Sequence, residues 1–211
     1  MKRKLYVLIL LVTITMATSA RTPMRQWFAS MPDSVMPLLT KNDRLDFVDF
    51  MDCKMPAVVT NRLEGKSEMK VLTNDYLYIE YTKSSSVEMK LLPVTDTTDV
   101  LCMVTTVKAT VDDSHVAFFR EGWVPLSAST FLTTPQMQDF FTEERSDSAM
   151  VAYKKIDVFF KTYALSADEA TITCRLSALD YLTKADASEL RSYILNPEII
   201  YSWKNGSFVK P

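Results

Sequence analysis

The chain has 211 residues, of which 47% are hydrophobic and 24% are charged, and its formal net charge at pH 7 is -2. This composition is typical of a folded chain and excludes an intrinsically disordered one, and the length suits one large or two small domains. Lysine and arginine form no block, so nucleic acid is not an expected partner. The glycines, Gly65, Gly122 and Gly206, are too far apart for a phosphate-binding loop, which excludes the common nucleotide-binding motifs.

The start of the chain has the layout of a secretory signal peptide. Residues 2–4 are basic, residues 5–16 form an apolar run, and small residues follow up to Ala20. A run of about twelve residues is too short to span a bilayer. The sequence therefore predicts a signal peptide over residues 1–20, export to the periplasm or cell surface, and a mature chain that begins near Arg21. No later run is long enough to suggest a transmembrane segment in the mature chain.

The cysteines are Cys53, Cys102 and Cys174, and their wide spacing excludes a CxxC redox or zinc motif. An odd number leaves at least one thiol free. The sequence favours buried free thiols at Cys102 and Cys174, and a disulfide between these two is the alternative. Cys174 alternates with Ile172 and Leu176, which places all three on the buried face of a strand.

The first long helix is predicted over residues 41–52. Thr40 can cap it because Asp43 stands at its third position, and Pro56 lies just beyond its end. A shorter helical segment is expected before it, over residues 24–31.

Antiparallel strands are predicted over the middle of the chain, at residues 75–83, 87–92, 99–108 and 115–120. The first pair flanks a serine run at residues 84–86, and the second pair flanks an aspartate-rich turn at residues 112–114. Each pair therefore predicts a β-hairpin. Residues 99–108 are apolar on both faces, as in a strand that is covered on both sides.

Two further helices are predicted in the second half of the chain. Thr134 is a good cap for a helix over residues 135–144. Asp186 and Glu189 resemble a capping pair for a helix over residues 187–195.

Strands accompany these helices. Residues 156–164 and 170–178 are expected to pair as one hairpin. The Asn-Gly pair at residues 205–206 is the strongest hairpin signal in the chain and joins strands over residues 199–203 and 207–209.

The predicted order of elements is helix, hairpins, helix, hairpins. This order indicates an α+β fold in which an antiparallel sheet of meandering hairpins packs with a few helices, within one exported domain over residues 21–211. Because the plan is repeated, a division into two similar halves, residues 21–130 and 131–211, stays open.

Several segments resemble a family of secreted proteins of unknown function from Bacteroidales. These segments are Met31-Pro32-Asp33-Ser34, Pro37-Leu38-Leu39-Thr40, Arg44-Leu45-Asp46, Asp49-Phe50, Gly65-Lys66-Ser67-Glu68-Met69 and Leu91-Leu92-Pro93. The resemblance covers nearly the whole mature chain, implies a periplasmic or surface setting and offers no catalytic residues to transfer. A looser, fold-level likeness to the β-lactamase-inhibitor protein implies helices packed against antiparallel sheet.

Histidine and metal chemistry find little support in the sequence. His115 is the only histidine, which excludes an HExxH zinc site, and no G-x-S-x-G motif supplies a nucleophilic serine. Asp43, Asp46, Asp49 and Asp52 recur every three residues, so several carboxylates lie near one face of a helix. A rigid helix cannot wrap six oxygen ligands around calcium, so the sequence predicts a solvated face and no metal or cofactor.

Aromatic residues supply the candidate contact site. Tyr76 and Tyr78 share one face of a predicted strand, and together with Trp123 they are candidates for contact with a ligand or partner, although core packing is the alternative. The sequence favours a secreted, non-catalytic interaction or binding module with a protein or glycan partner. A carrier of a small apolar or glycan ligand is one alternative. A hydrolase with an unrecognised carboxylate pair is another.

Overall fold

The computed structural model describes residues 21–141, residue 151 and residues 154–210. The predicted signal peptide lies outside the described residues, as does the end of the helix predicted over residues 135–144. None of the helices in the described part of the chain has the length and hydrophobicity that a membrane span requires.

Helices and two sheets make up the described chain. The α-helices are α1 (Met24–Ser30), α2 (Lys41–Asp52), α3 (Ala128–Phe131) and α4 (Lys184–Arg191), and single 3₁₀ turns occur at Met137–Phe140 and Ala178–Tyr181. The first sheet consists of β1 (Ala57–Thr60), β2 (Lys66–Leu72), β3 (Tyr76–Thr82), β4 (Ser85–Pro93), β5 (Asp99–Val107), β6 (Asp113–Arg120) and β7 (Val124–Leu126). The second sheet consists of β8 (Lys161–Leu165), β9 (Thr171–Leu176), β10 (Glu198–Lys204) and β11 (Ser207–Val209).

Both sheets are antiparallel meanders, which confirms the predicted α+β class. The seven strands of the first sheet follow chain order from β1 to β7, and the second sheet has the order β11-β10-β9-β8. Each strand therefore pairs with its neighbour in sequence. The connections within each sheet are short, except that residues 177–197, which include α4, join β9 to β10. The similarity of two chain halves stays a prediction.

The first sheet has an apolar core on each face. Helices α1 and α2 cover one face, where Phe28 and Phe47 pack with Leu77 of β3. The second sheet covers the other face, where Cys102 and Phe118 belong to one buried cluster with residues of β8 to β11. Strands β4 and β5 are therefore buried on both sides, which explains the continuous apolar sequence of β5.

Helix α2 begins as the sequence predicts. The side-chain oxygen of Thr40 accepts a hydrogen bond of 3.2 Å from the backbone N–H of Asp43, and the Asp43 carboxylate accepts one of 2.6 Å from the Thr40 N–H. This reciprocal pair satisfies two of the amides that an α-helix leaves free at its start.

Arg44, on the same helix, is 1% exposed. Its guanidinium donates hydrogen bonds to the backbone carbonyls of Leu39 and Met31, and it also pairs with the Asp33 carboxylate at 2.9 Å. Arg44 thus connects the loop between α1 and α2 to the helix, a role that no local sequence pattern predicts.

The predicted hairpins of the first sheet are confirmed, with shifted tips. The turn between β3 and β4 falls at residues 83–84, one residue earlier than the predicted run begins, and Ser85 and Ser86 belong to β4. Likewise, Asp113 and Ser114 already belong to β6. At the end of the chain, Asn205 and Gly206 have φ angles of 51° and 82°, the left-handed pair that a two-residue type I′ turn requires.

Two predicted helices have the wrong boundaries. Helix α4 starts at Lys184 because the Thr183 side chain, rather than Asp186, caps it. The helix predicted from residue 135 is wrong over its described part, where a single 3₁₀ turn capped by Gln136 takes its place and Phe141 bridges to Ile194.

The strand predicted over residues 156–164 is correct only from Lys161 onward. The carbonyl of Phe160 accepts hydrogen bonds from the N–H groups of Ser177 and Ala178, and no strand lies before that point in residues 156–160. The alternation of β9 is confirmed, because Ile172, Cys174 and Leu176 are all buried.

Cys102 and Cys174 are buried free thiols, as the sequence favours, and Cys53 is an exposed free thiol. Burial raises the pKa of Cys102, and it raises the pKa of Cys174 to about 11. Both thiols are therefore held in the unreactive protonated form.

Candidate functional site

An open groove of ≈ 690 Å³ lies at one end of the first sheet. Three segments meet there: the stretch before α1, the turn between β2 and β3, and the loop between β8 and β9. Residues from these segments and from the ends of β4 and β5 line the groove: Arg21, Thr22, Pro23, Asn74, Asp75, Lys90, Leu91, Pro93, Asp99, Asp168 and Ala170. The volume falls in the range of small-molecule and peptide sites.

Lys90 forms one part of the groove floor. Its side chain is 3% exposed, and its ammonium pairs with the Asp75 carboxylate at 2.9 Å and donates to the carbonyl of Ala167 at 2.8 Å. The ammonium also lies 5.8 Å from the centre of the Tyr76 ring. These partners satisfy the nearly buried ammonium, and its bond to Ala167 fixes the β8–β9 loop beside the groove.

Asp99, the first residue of β5, forms another part of the floor. Its side chain is 7% exposed and pairs with the Arg21 guanidinium at 3.6 Å. Burial and the nearby Asp75 carboxylate raise the pKa of Asp99, and Arg21 partly opposes that rise. The Arg21 guanidinium directs its hydrogen bonds elsewhere, to the carbonyls of Thr95 and Asp96.

A second cavity of ≈ 230 Å³ adjoins the groove. Thr22 and Asp99 line both spaces, and Trp27, Arg120 and Glu121 are among the other lining residues of the second. Asp99 therefore stands where the two cavities meet.

Strand register explains how Lys90 and Asp99, which lie on opposite faces of the first sheet, both line the groove. Lys90 is paired with Cys102 and faces the second sheet, whereas Asp99 is paired with Pro93 and faces the helices. Side chains alternate along a strand, so the groove runs around the strand ends from one face to the other.

The predicted contact residues do not line this groove. Tyr76 and Tyr78 share the face of β3 that packs against the second sheet, as expected, and Tyr76 is 6% exposed. Trp123 is 6% exposed and belongs to the core beneath the helices. The sheet therefore separates Trp123 from the two tyrosines.

Trp123 has a structural task at a tight turn. Its φ angle is 61°, a left-handed conformation that is rare for a bulky residue, and it follows Gly122 with a φ of 79°. Its indole N–H donates to the carbonyl of Trp27 at 3.1 Å, and the two rings meet edge to face. These contacts hold the strained turn against α1.

The other candidates lie on open surface. His115 is exposed in β6 opposite Thr105, and Asp46 and Asp49 are exposed on α2. Within the described part of the chain, no three side chains of the metal-binding types converge on one point.

One feature of the sequence indicates this groove. Lys90 interrupts a strand that is otherwise mostly apolar, and a lysine in a buried strand needs a partner. Asp99 has no such signal, because acids are common at strand ends and loops.

The chain belongs to the family described as "Protein of unknown function (DUF3256)". The family model matches residues 16–208, nearly the whole sequence. The expected resemblance to a family of unknown function is therefore correct.

A solved structure has the same fold. It is described as a domain of an uncharacterized protein from Porphyromonas gingivalis W83, it is 25% identical to this chain, and the TM-score is 0.80. The match covers 91% of this chain and 99% of the other. No curated protein matches the chain.

Proposed function

We propose that this chain is an exported, non-catalytic interaction module whose ligand lies in the groove floored by Lys90 and Asp99. The observation that carries the proposal is that two nearly buried charges of opposite sign stand in one open groove. Each is paired with a rim residue of opposite charge that is about half exposed, Asp75 at 52% and Arg21 at 43%. Burying a charge is costly unless it is paired, so such a pair at a groove is better explained by recognition than by stability.

The lining favours a peptide segment of a protein partner over an apolar or glycan ligand. Among the described residues that line the two cavities, Trp27 is the only aromatic one, and it is 4% exposed. A sugar ring therefore finds no open aromatic face on which to stack, and an apolar carrier site needs a more apolar floor. Charges of both signs suit the polar backbone and side chains of an extended peptide.

Filling the groove tests the proposal. Ala170 lines it, so Ala170→Trp should obstruct it, whereas Ala164→Trp places the same ring on the exposed face of β8. Wild-type protein and both variants are applied to arrays of defined peptides and glycans. Binding that is lost in Ala170→Trp and kept in Ala164→Trp supports the groove as the site, and equal binding by all three proteins contradicts it.

Export is tested separately. The basic and apolar start of the chain supports it, and the full chain expressed in a Bacteroidales host should lose residues 1–20 and begin near Arg21. Mass spectrometry of the purified protein gives the first residue. An intact Met1 in the cytoplasmic fraction contradicts export.

A hydrolase is the second candidate because Asp75 and Asp99 line one groove and the pKa of Asp99 is raised by burial. A raised pKa is one property of a general acid. Against this reading, the Arg21 guanidinium beside Asp99 opposes the rise in the pKa of that carboxyl. Cleavage of an array ligand that is abolished in Asp99→Asn, while binding persists, would favour the hydrolase.

A further inference from the structure

The Asp99 carboxylate is the least satisfied charged group of the groove. Its side chain is 7% exposed, yet among the described residues it accepts no hydrogen bond, and its ion pair with Arg21 spans 3.6 Å. By contrast, the equally buried Lys90 has a direct ion pair and a hydrogen bond. No group of the described chain donates a hydrogen bond to the Asp99 carboxylate, and its oxygens are not fully enclosed, so a donor from a ligand can reach them.

The carboxylate faces open space rather than apolar packing. Asp99 lines both the larger groove and the adjoining cavity, so a ligand in either can reach it. The two cavities are lined by four acids, Asp75, Asp99, Asp168 and Glu121, and by three cations, Arg21, Lys90 and Arg120.

We infer that Asp99 binds a protonated amine or guanidinium of the ligand, so that the groove selects peptides with a basic residue. The inference rests on the proposed function and names its ligand class. A nitrogen cation supplies the hydrogen bonds that the carboxylate lacks, and such charge-assisted bonds are about twice as strong as neutral ones. Because no three metal-binding side chains converge within the described residues, an organic cation fits better than a metal ion.

Arg21 provides a way to distinguish a cationic ligand from an acidic or a neutral one. Its half-exposed guanidinium is the cation now nearest to Asp99, so an incoming basic group competes with it. Removing Arg21 should strengthen the binding of a cation, whereas it would weaken the binding of an acidic ligand and leave that of a neutral one unchanged.

The test uses a blocked pentapeptide with one lysine among glycines, the same peptide acetylated on the lysine, and putrescine as a free amine. Binding is followed by titration calorimetry and by the amide chemical shifts of Thr97 and Thr98 in the full mature chain. The lysine peptide should bind at least about tenfold more tightly than the acetylated one, and Asp99→Asn should remove that preference. Arg21→Gln should tighten lysine binding, and Arg25→Gln, whose side chain is 45% exposed and pairs with Asp52, is the matched control.

The results with putrescine and with the two peptides distinguish the alternatives. Putrescine binding as tightly as the peptide would assign the site to amines in general and would still support Asp99 as the cation site. Equal binding of both peptides, or no binding of either, overturns the inference. The proposed function then stands or falls separately, on the arrays with Ala170→Trp and Ala164→Trp.

Discussion

The Glu88 carboxylate of β4 accepts a hydrogen bond from the backbone N–H of Leu165 in β8, and so joins the edge of one sheet to the face of the other. In the same way, the Asp113 carboxylate of β6 accepts a hydrogen bond of 3.3 Å from the backbone N–H of Lys161 in β8. Strand β8 is the edge of its sheet, and these amides point away from β9. The carboxylates of Glu88 and Asp113 thus accept hydrogen bonds from two N–H groups of an edge strand, which would otherwise be free to pair with a strand of another chain.

Glu88 should make stability depend on pH. Burial raises its pKa above the usual 4.5, and the bond from Leu165 only partly offsets that rise. The folded protein therefore holds this proton more tightly than the unfolded chain does. The stabilisation from the protonated form is present below pH 4.5 and is lost as the pH rises through the raised pKa.

The variant Glu88→Gln keeps an oxygen that can accept the Leu165 bond but carries no charge. We expect its free energy of unfolding in urea to equal or exceed that of the wild type at pH 7, and the difference to shrink at pH 4. The exposed Glu198→Gln of β10 is the control. A variant that is less stable than the wild type at pH 7 and unchanged at pH 4 would contradict the assignment.

Arg44→Met should lower the free energy of unfolding by about 3 kcal/mol, because it removes charge-assisted bonds to two buried carbonyls of the loop before α2. Urea denaturation followed by circular dichroism measures the change. Arg62 also pairs with Asp33 but is 48% exposed, so Arg62→Met should cost no more than about 1 kcal/mol. Equal losses in the two variants would show that burial of Arg44 is not the cause.

Trp123→Phe should cost about 1–2 kcal/mol, because the bond to the Trp27 carbonyl is lost while most of the ring contact remains. The matched change is Trp203→Phe, which loses an indole bond to the Pro93 carbonyl at a more exposed site and should cost less. Thermal melts of both variants rank the two sites, and the reverse order would be inconsistent with the buried position of Trp123.

Thiol labelling of the reduced native protein should modify Cys53 rapidly and leave Cys102 and Cys174 unmodified. Burial excludes reagent and raises the pKa of both core thiols. Mass spectrometry after labelling at pH 8, with and without denaturant, locates the modified residues. Fast labelling of Cys174 without denaturant would mean that the buried face of β9 is assigned incorrectly.

The exposed aspartates of α2 should contribute little to the free energy of unfolding. Asp46 and Asp49 are exposed, and replacing both by asparagine should change the free energy of unfolding by no more than about 0.5 kcal/mol. Thermal melts with calcium and with chelator should coincide. A calcium-dependent rise that disappears in the double variant would make this helix a metal site.

Local signals in the sequence were sufficient for elements that depend on neighbouring residues. The Thr40–Asp43 cap starts α2 at the predicted position, the Asn205-Gly206 pair forms its turn, and the alternation around Cys174 identifies the buried face of β9. Each of these features needs only groups a few residues apart, so the sequence contains its full physical cause. Helix α4 shows the limit of such signals, because Thr183 and Asp186 are both plausible caps and only one is used.

The α+β class, the meandering hairpins and the burial of the two core cysteines could be predicted from the amino-acid sequence, because hydrophobic periodicity and turn chemistry are local. Which charged side chains share one groove depends on the three-dimensional packing of the chain. Lys90 and Asp75, and likewise Asp99 and Arg21, are distant in sequence and meet because strand ends, the segment before α1 and the β8–β9 loop converge. Trp123 and Tyr76 likewise lie apart, because their side chains are buried on opposite faces of the first sheet. Such meetings depend on how sheets and helices pack, and no local pattern records that packing.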